Sequence, residues 1–474
     1  MQPQLSVKDS KSRTAILEGN LWKTIMILAV PLAIYNLFNY LYTFIDMILV
    51  ANIGSSQVNV VVFIDQIKSA ISAFGVAIAS AGTVVVARYY GAGDIEEARK
   101  NAGSTFILSL LISGLVAIIT VGFGPLILKA TGATEQIITD GLDYYNIQML
   151  STTLIAINSV FIGLEKAKGN TKIILMLNLI VMIVKLTLSI VYVYVFDGTV
   201  TDLAMATLIA QGLLTIIAIF VMFNKSNIFR IKFSEMKLKK MYVIPIVKLA
   251  IPIFFGKFLF SAGKVAINGL ALQTHPYAVG ALGIAMNLHG GFSALVNSFE
   301  ESEVSVISQN LGNRNLKRAM STFKISVIYA TVIAVIGLII LVLTQDYLIP
   351  LFSSSKPGEE LTPEQFQMIK YMFKWEKYSL LTSTIISLIT SLFIAFRKTS
   401  VSFFVNVIRL FVFRLPVLFI FLNVGWFSQF VAHQYEFVGL TMFISNTVTM
   451  LVTIGLYFIF NHKIKHYGYE NLSL

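Results

Sequence analysis

Cysteine is absent from the chain. That excludes disulfides and every cysteine-held metal or redox centre, and leaves the compartment open. Charge is scarce as well: 13% of the 474 residues are Asp, Glu, Lys or Arg, against about 25% in soluble domains. No P-loop pattern GxxxxGK(S/T) occurs, so nucleotide hydrolysis is not encoded here. The five histidines, His275 and His289 among them, form no HExxH and no His/carboxylate motif, which argues against a metal enzyme. No enzyme activity is expected.

What fills the sequence instead is apolar. Hydrophobic residues make up 56% and the mean hydropathy is +0.78. Long continuous runs, rather than short alternating segments, exclude a spanning β-barrel and predict an all-α polytopic membrane protein. Twelve spans are expected, near 22–50, 61–87, 101–122, 143–163, 172–196, 203–223, 243–271, 278–307, 320–344, 368–396, 400–422 and 437–461. The first run is too long for a signal-peptide core and has no small-residue cleavage site after it, so it reads as a retained helix.

The net charge of +12 sorts by side. Lys and Arg crowd the even-numbered connections and both termini, as in Arg88, Arg99, Lys166, Lys172, Arg230, Lys240, Arg314, Lys317, Arg318, Arg397 and Lys463. The alternate loops hold few, mainly Lys129, Lys356 and Lys370 to Lys377. The positive-inside rule then places both termini in the cytoplasm. The basic balance is thus a topology signal, and no nucleic-acid partner is expected.

The chain also repeats itself. "LAVP" at 28–31 returns as "LAIP" at 249–252, and "GAGDIEEA" at 91–98 as "GNRNLKRA" at 312–319, both at an offset of 221. Each half carries an even number of spans, so the repeats are parallel. The expected organisation is an N-terminal tail 1–21, a first lobe 22–223, a basic linker 224–242, a second lobe 243–461 and a C-terminal tail 462–474. The linker has room for a short surface helix. Two such lobes suit alternating access.

The pieces "PLAIYNLFNYLYTFIDMILVANIG", "ARYYGAGDIEEA", "GNTK", "LAMATLIAQ", "SQNLGNRNLKRA" and "RLPV" resemble the multidrug and toxic compound extrusion (MATE) family. The likeness runs through both halves and is nearest to the DinF-like branch of the wider flippase superfamily. It implies six plus six helices, a V-shaped central cavity, and export of small organic compounds driven by entry of H⁺ or Na⁺. It also implies a bacterial inner-membrane location, a monomer, and no cofactor beyond the transported ion. Flippases for lipid-linked sugars belong to the same superfamily. An anionic lipid-linked precursor or an anionic metabolite is therefore the alternative cargo.

Charged residues inside spans are costly, about 2.5–3.5 kcal/mol each on insertion scales, and mark sites by default. Tyr35, Asn39, Tyr42 and Asp46 share one helical face through spacings of four, three and four. The resemblance makes Asp46 a proton or cation site whose protonation bends the first helix at Pro31. In the fifth span the family carries Asn-x-x-Leu-Asp. Here Lys185 and Ser189 stand at the Asn and Asp positions, while Thr207 matches a family site residue. Asp46 is accordingly either a separate proton site or the paired partner of Lys185. A paired carboxylate would disfavour Na⁺, so H⁺ is the expected coupling ion. Asp65 and Lys68 read as a local i,i+3 pair. In the second half, Lys257, Ser261, Lys264 and Asn268 share a face of the seventh span, with Glu300, Glu301 and Glu303 as the natural partners of the two lysines. The Na⁺-coupled branch carries a glutamate near Phe260 and an aspartate in the tenth span. "LLTSTIISLITSLFIAF" at 380–396 holds no acid. Arg409 is a further charge inside a span, and Arg414 in "RLP" resembles a structural feature of the family.

Overall fold

A computed structural model describes residues 7–53, 55–352 and 361–467. Gly54 and Lys356, named above, lie outside the described residues. Among those described, ten helices are long and apolar enough to cross a membrane, and two bent helix pairs bring the number to twelve when each pair makes one span. These twelve coincide with the expected runs. Long faces of bare hydrocarbon, such as Ile118, Phe220, Leu343 and Phe458, are exposed. On a spanning helix that surface belongs against lipid.

The chain divides into two compact units. The first takes in the described residues up to Phe258 together with Val304–Thr322. Its helices are α1 (Val7–Leu17), α2 (Leu21–Ile53), α3 (Ser55–Ala92), α4 (Ile95–Gly122), α5 (Gly124–Ala130), α6 (Glu135–Lys168), α7 (Thr171–Val195) and α8 (Val200–Phe223). The first part of α9 (Lys240–Leu272) belongs here too. Polar side chains fasten these helices where hydrophobicity alone would not. The Asn158 amide donates to the Gln211 side chain at 2.8 Å and its oxygen accepts from the Thr215 hydroxyl at 2.9 Å, joining α6 to α8. Residues 224–242 fold onto this unit through a 3₁₀ turn at Phe233–Glu235 rather than a longer helix. Arg99 Nε donates to the Ile228 carbonyl at 2.6 Å and Ser104 Oγ to that of Lys237 at 2.9 Å.

Both copies of the repeated loop motif fall in the first unit and share a turn. Gly93 ends α3 at φ +85°, and Asp94 caps α4 by accepting from the Glu97 amide at 3.0 Å. At the equivalent positions Arg314 takes φ +57°, and Asn315 accepts from the Arg318 amide at 3.0 Å. A left-handed residue followed by an Asp or Asn cap is one solution used twice. Only the first copy uses glycine for the strained position.

The second unit takes in Leu259–Glu303 and the described residues from Phe323 onward. It holds the end of α9, then α10 (Ala278–Leu288), most of α11 (Gly290–Gly312) and α12 (Leu316–Leu348). α13 (Pro363–Glu376), α14 (Ser379–Ala395), α15 (Thr399–Val407), α16 (Leu415–Asn423) and α17 (Glu436–Tyr467) complete it. α10 and α11 meet at His289 with a bend of 53°, and α13 and α14 meet at Lys377 and Tyr378 with a bend of 43°. Between α15 and α16, residues Ile408–Arg414 wind as a π-helix. Pro416 follows at once. It has no amide for the carbonyl four residues back, and the wider turn absorbs that break.

Candidate functional site

In the first unit the sequence-selected face of α2 meets α7. Lys185 Nζ lies 3.4 Å from Asp46 Oδ2. The Tyr42 hydroxyl donates to the other carboxylate oxygen at 3.0 Å. The ammonium also sits over the Tyr42 ring, 4.1 Å from its centroid. One helical turn of α2 therefore offers a carboxylate and an aromatic face to the same cation. The Asp46 side chain retains 30% of its exposure and that of Lys185 12%, so the pair is partly screened rather than sealed.

A second pair stands on α3. Asp65 and Lys68 are 3.8 Å apart, and Tyr144 of α6 donates to Asp65 at 3.4 Å. Ser189 is fully buried on α7. Thr207 is buried on α8, with its hydroxyl donating to the Leu203 carbonyl at 3.0 Å. Asn39 presents an exposed side chain, and its carbonyl accepts from Thr43 at 3.0 Å. Tyr35 is half-buried on the same face. α2 runs through Pro31 without interruption. The carbonyl of Ile27 consequently has no i+4 amide to accept, leaving the helix weakest one turn before the polar face.

In the second unit the expected partnership of Lys264 with the glutamates does not form. Lys264 stacks on Phe260, one turn before it on α9, at 5.3 Å from the ring centroid. Among the described residues it has no ion pair or hydrogen bond. Glu300 instead accepts from Ser387, and Glu303 from Ser391 at 2.9 Å, both on α14. The physical reason is position: Glu303, fully buried, meets Ser391 of α14, while Lys264 on α9 meets the Phe260 ring. Lys257 belongs to the first unit and Glu301 to the second.

The charges around Lys264 are cationic. Arg409 and Arg414 place their guanidinium carbons 5.1 and 5.9 Å from the same Phe260 ring. Both donate to one acceptor, Asn446 Oδ1 of α17, at 2.7 Å from Arg409 Nε and 2.6 Å from Arg414 Nη2. Arg414 Nε donates to Ser445 Oγ at 2.9 Å. From Asn446 the chain of hydrogen bonds continues through Ser379 Oγ, at 2.7 Å, to Glu376 Oε2, at 2.8 Å. The other Glu376 oxygen lies 3.3 Å from His289 Nε2, and His289 Nδ1 is 3.0 Å from Ser293 Oγ. The network thus links the breaks of both bent spans to the π turn. Sequence reasoning overlooked Glu376, which is 3% exposed, because Lys374 and Lys377 beside it read as an aqueous loop. The Gly-Gly at 290–291 was the available signal for the first break.

Among the described residues no group of three or more His, Asp or Glu side chains could hold a metal ion.

Known proteins share this architecture. The multidrug export protein MepA of Staphylococcus haemolyticus is 21% identical over 339 residues, spanning 71% of this chain and 75% of that protein. MepA of Staphylococcus saprophyticus is 20% identical over a similar stretch. An outward-facing multidrug resistance MATE family transporter superposes with a TM-score of 0.88 at 17% identity, covering 98% of this chain and all of that one. A mutant of the Vibrio cholerae MATE transporter VcmN superposes at 0.85 with 18% identity, covering 97% and 99%. The MatE family model matches residues 31–191 and 252–420. The two matched segments begin at Pro31 and Pro252, the pair that opens the internal repeat. With two MatE segments covering most of its length, the chain belongs to the MATE family of membrane transporters.

Proposed function

We propose that the protein exports small organic compounds across a bacterial plasma membrane by alternating access, with H⁺ rather than Na⁺ as the coupling ion. Both termini would be cytoplasmic, a reading that the distribution of Lys and Arg supports. The working unit would be a monomer of two lobes, 22–223 and 243–461, joined by the basic linker. The MepA relatives, named as multidrug exporters, support the cargo class.

The observation that carries the choice of ion is the 3.4 Å contact between Lys185 and Asp46. An alkali cation at this carboxylate would have to displace a tethered ammonium that also rests on the Tyr42 ring. A proton needs no such room. Transferred to Asp46 it removes the negative charge, ends the ion pair, and releases α2 to bend at Pro31. Losing one partner of a fully buried pair costs about 3–5 kcal/mol. This pair is partly exposed and its cost is smaller, but a change of even about 1.4 kcal/mol shifts a two-state helix tenfold.

Proteoliposomes with separately imposed pH and Na⁺ gradients test this, using ethidium as cargo. The pH gradient alone should drive export, and Asp46→Asn should abolish the response. Lys185→Met should retain transport with an altered pH range. The double variant should be no worse than Asp46→Asn, because neither charge is left unpaired. Full activity of Asp46→Asn, or export driven by Na⁺ and not by H⁺, sinks the proposal.

A further inference from the structure

Three cations converge on one phenylalanine in the second unit, and no carboxylate among the described residues touches any of them. Lys264, Arg409 and Arg414 all lie within 6 Å of the Phe260 centroid. Their hydrogen-bond partners among the described residues are the neutral Asn446 and Ser445. Lys264 has none. A guanidinium carries five N–H donors and an ammonium three. Arg409 commits only Nε, and Arg414 commits Nε and Nη2. The carboxylate that the hydrogen-bond network leads to, Glu376, is separated from the arginines by Ser379 and Asn446, and its oxygens are engaged by Ser379 and His289. Like charges held this close in a membrane protein repel one another unless an anion joins them.

The backbone is shaped to hold the cluster. In an α-helix, residues five apart point about 140° from each other. The π winding of Ile408–Arg414, with its i to i+5 bond from the Leu415 amide to the Leu410 carbonyl, brings Arg409 and Arg414 onto one face. Arg414 is 2% exposed and braced by two hydrogen bonds. Asn446 bridges both arginines and is itself held by Ser379 at the break between α13 and α14. Interrupted helices whose ends converge are where membrane transporters build sites. Such bracing fixes donors in place and leaves their free N–H groups for something else.

We infer that Lys264, Arg409 and Arg414 form an oxyanion site, taking a carboxylate, sulfonate or phosphate group against the Phe260 ring. The ligand is an organic anion carried as cargo or the phosphate of an anionic lipid. Arg409 and Arg414 supply the planar donor geometry that suits an oxyanion, and Lys264 supplies a mobile point charge. The inference deepens the exporter reading and rests on it for the cargo source alone.

The test uses the purified full-length protein in phosphatidylcholine nanodiscs, with fluorescein as the organic-anion probe, inorganic phosphate as competitor and ethidium as the cationic control. Wild-type protein should bind fluorescein, and phosphate should compete. Lys264→Met and Arg409→Met should each weaken fluorescein binding at least tenfold and should not weaken ethidium binding, since each removes a positive charge that repels a cationic dye. Lys264→Arg should recover most of the loss. Arg414 is left intact because its buried hydrogen bonds make its removal a folding risk. Thermal unfolding of each variant confirms that it is folded. Adding phosphatidylglycerol separates the two sources. If that lipid is retained by wild type and lost from Arg409→Met, the occupant is a lipid phosphate. If fluorescein binding is indifferent to it, the occupant is cargo. Unchanged fluorescein affinity in both folded variants overturns the site. So does wild-type protein that binds neither fluorescein, phosphate nor phosphatidylglycerol. Gradient-driven ethidium export by wild type is a separate readout: its failure with anion binding intact counts against the exporter reading and leaves the site standing.

Discussion

Replacing Gly91 or Gly312 by alanine should loosen the loop-bearing ends of α3 and α11, which meet inside the first unit. A Cβ built on Gly312 would lie 1.9 Å from the Arg88 carbonyl oxygen, and one on Gly91 would lie 2.0 Å from that of Gln309. The two contacts are one contact related by the internal repeat, since Arg88 and Gln309 occupy equivalent positions, as do Gly91 and Gly312. A methyl carbon and a carbonyl oxygen settle at roughly 3.3 Å, near the contact distances of packed atoms. Each alanine must therefore push backbone from backbone by more than 1 Å. No flexible side chain can give way, because the obstructing atoms are carbonyls. Overpacking of this kind costs about 1–3 kcal/mol. A central value of about 2 kcal/mol shifts a two-state equilibrium roughly 30-fold against the state that contains the contact. The chain has no cysteine, so a single introduced thiol reports without background. Ser305 is the place for it: it is 2% exposed, and its hydroxyl donates to the Lys166 carbonyl at 2.6 Å in the same region. The Ser305→Cys protein should react slowly with a membrane-impermeant maleimide. Adding Gly312→Ala or Gly91→Ala should accelerate labelling about tenfold or more, with a matching fall in transport rate. Equal labelling rates in all three proteins would refute the reasoning.

Two more predictions concern polar fastenings. Arg318 donates to the Ile16 carbonyl at 3.0 Å and also reaches that of Gly19. Arg13 donates to the carbonyls of Tyr90 and Gly91, each at 3.0 Å. Arg318→Met should free α1 and raise tryptic cleavage after Lys11 at least tenfold, since hydrogen bonds to charged groups are worth about 1.5–3 kcal/mol. An unchanged cleavage rate counts against a docked α1. Asn158→Ala removes three hydrogen bonds to Gln211 and Thr215. At about 0.6 kcal/mol per interhelical bond, it should lower stability by roughly 2 kcal/mol in detergent unfolding, and a loss below about 0.5 kcal/mol would contradict that assignment.

The spans were legible because twenty-residue apolar runs have few alternatives in any solvent. The two halves were legible because their loop motif is kept at a fixed offset, and the structure shows why. Gly91 and Gly312 cannot carry a side chain, and Asp94 and Asn315 cap the next helix in the same way. The meeting of Asp46 with Lys185 was within reach of the sequence as well. Both sit at positions that the resemblance to the family marks as candidate site residues, and their signs are opposite. What stayed hidden were the interruptions. His289 breaks a run that is apolar on both sides, and Lys377 and Tyr378 break another. Neither site carries a proline, so periodicity reads through them.

The pairing of Lys264 with Glu300, Glu301 or Glu303 failed for a related reason. It assumed that a buried cation is matched by whichever acid lies on the neighbouring span. Sign and hydropathy fix how many charges a span carries, and they do not fix position. Glu303 found Ser391 of α14, while Lys264 found an aromatic ring. The arginines that share that ring are five residues apart, a spacing that a 3.6-residue period scatters to different faces. Only the π turn gathers them, and the one trace it leaves in the sequence is Pro416, just past the end of the turn. A charge cluster assembled by irregular helix is thus the kind of site that sequence periodicity is least able to find, even though every residue in it is visible.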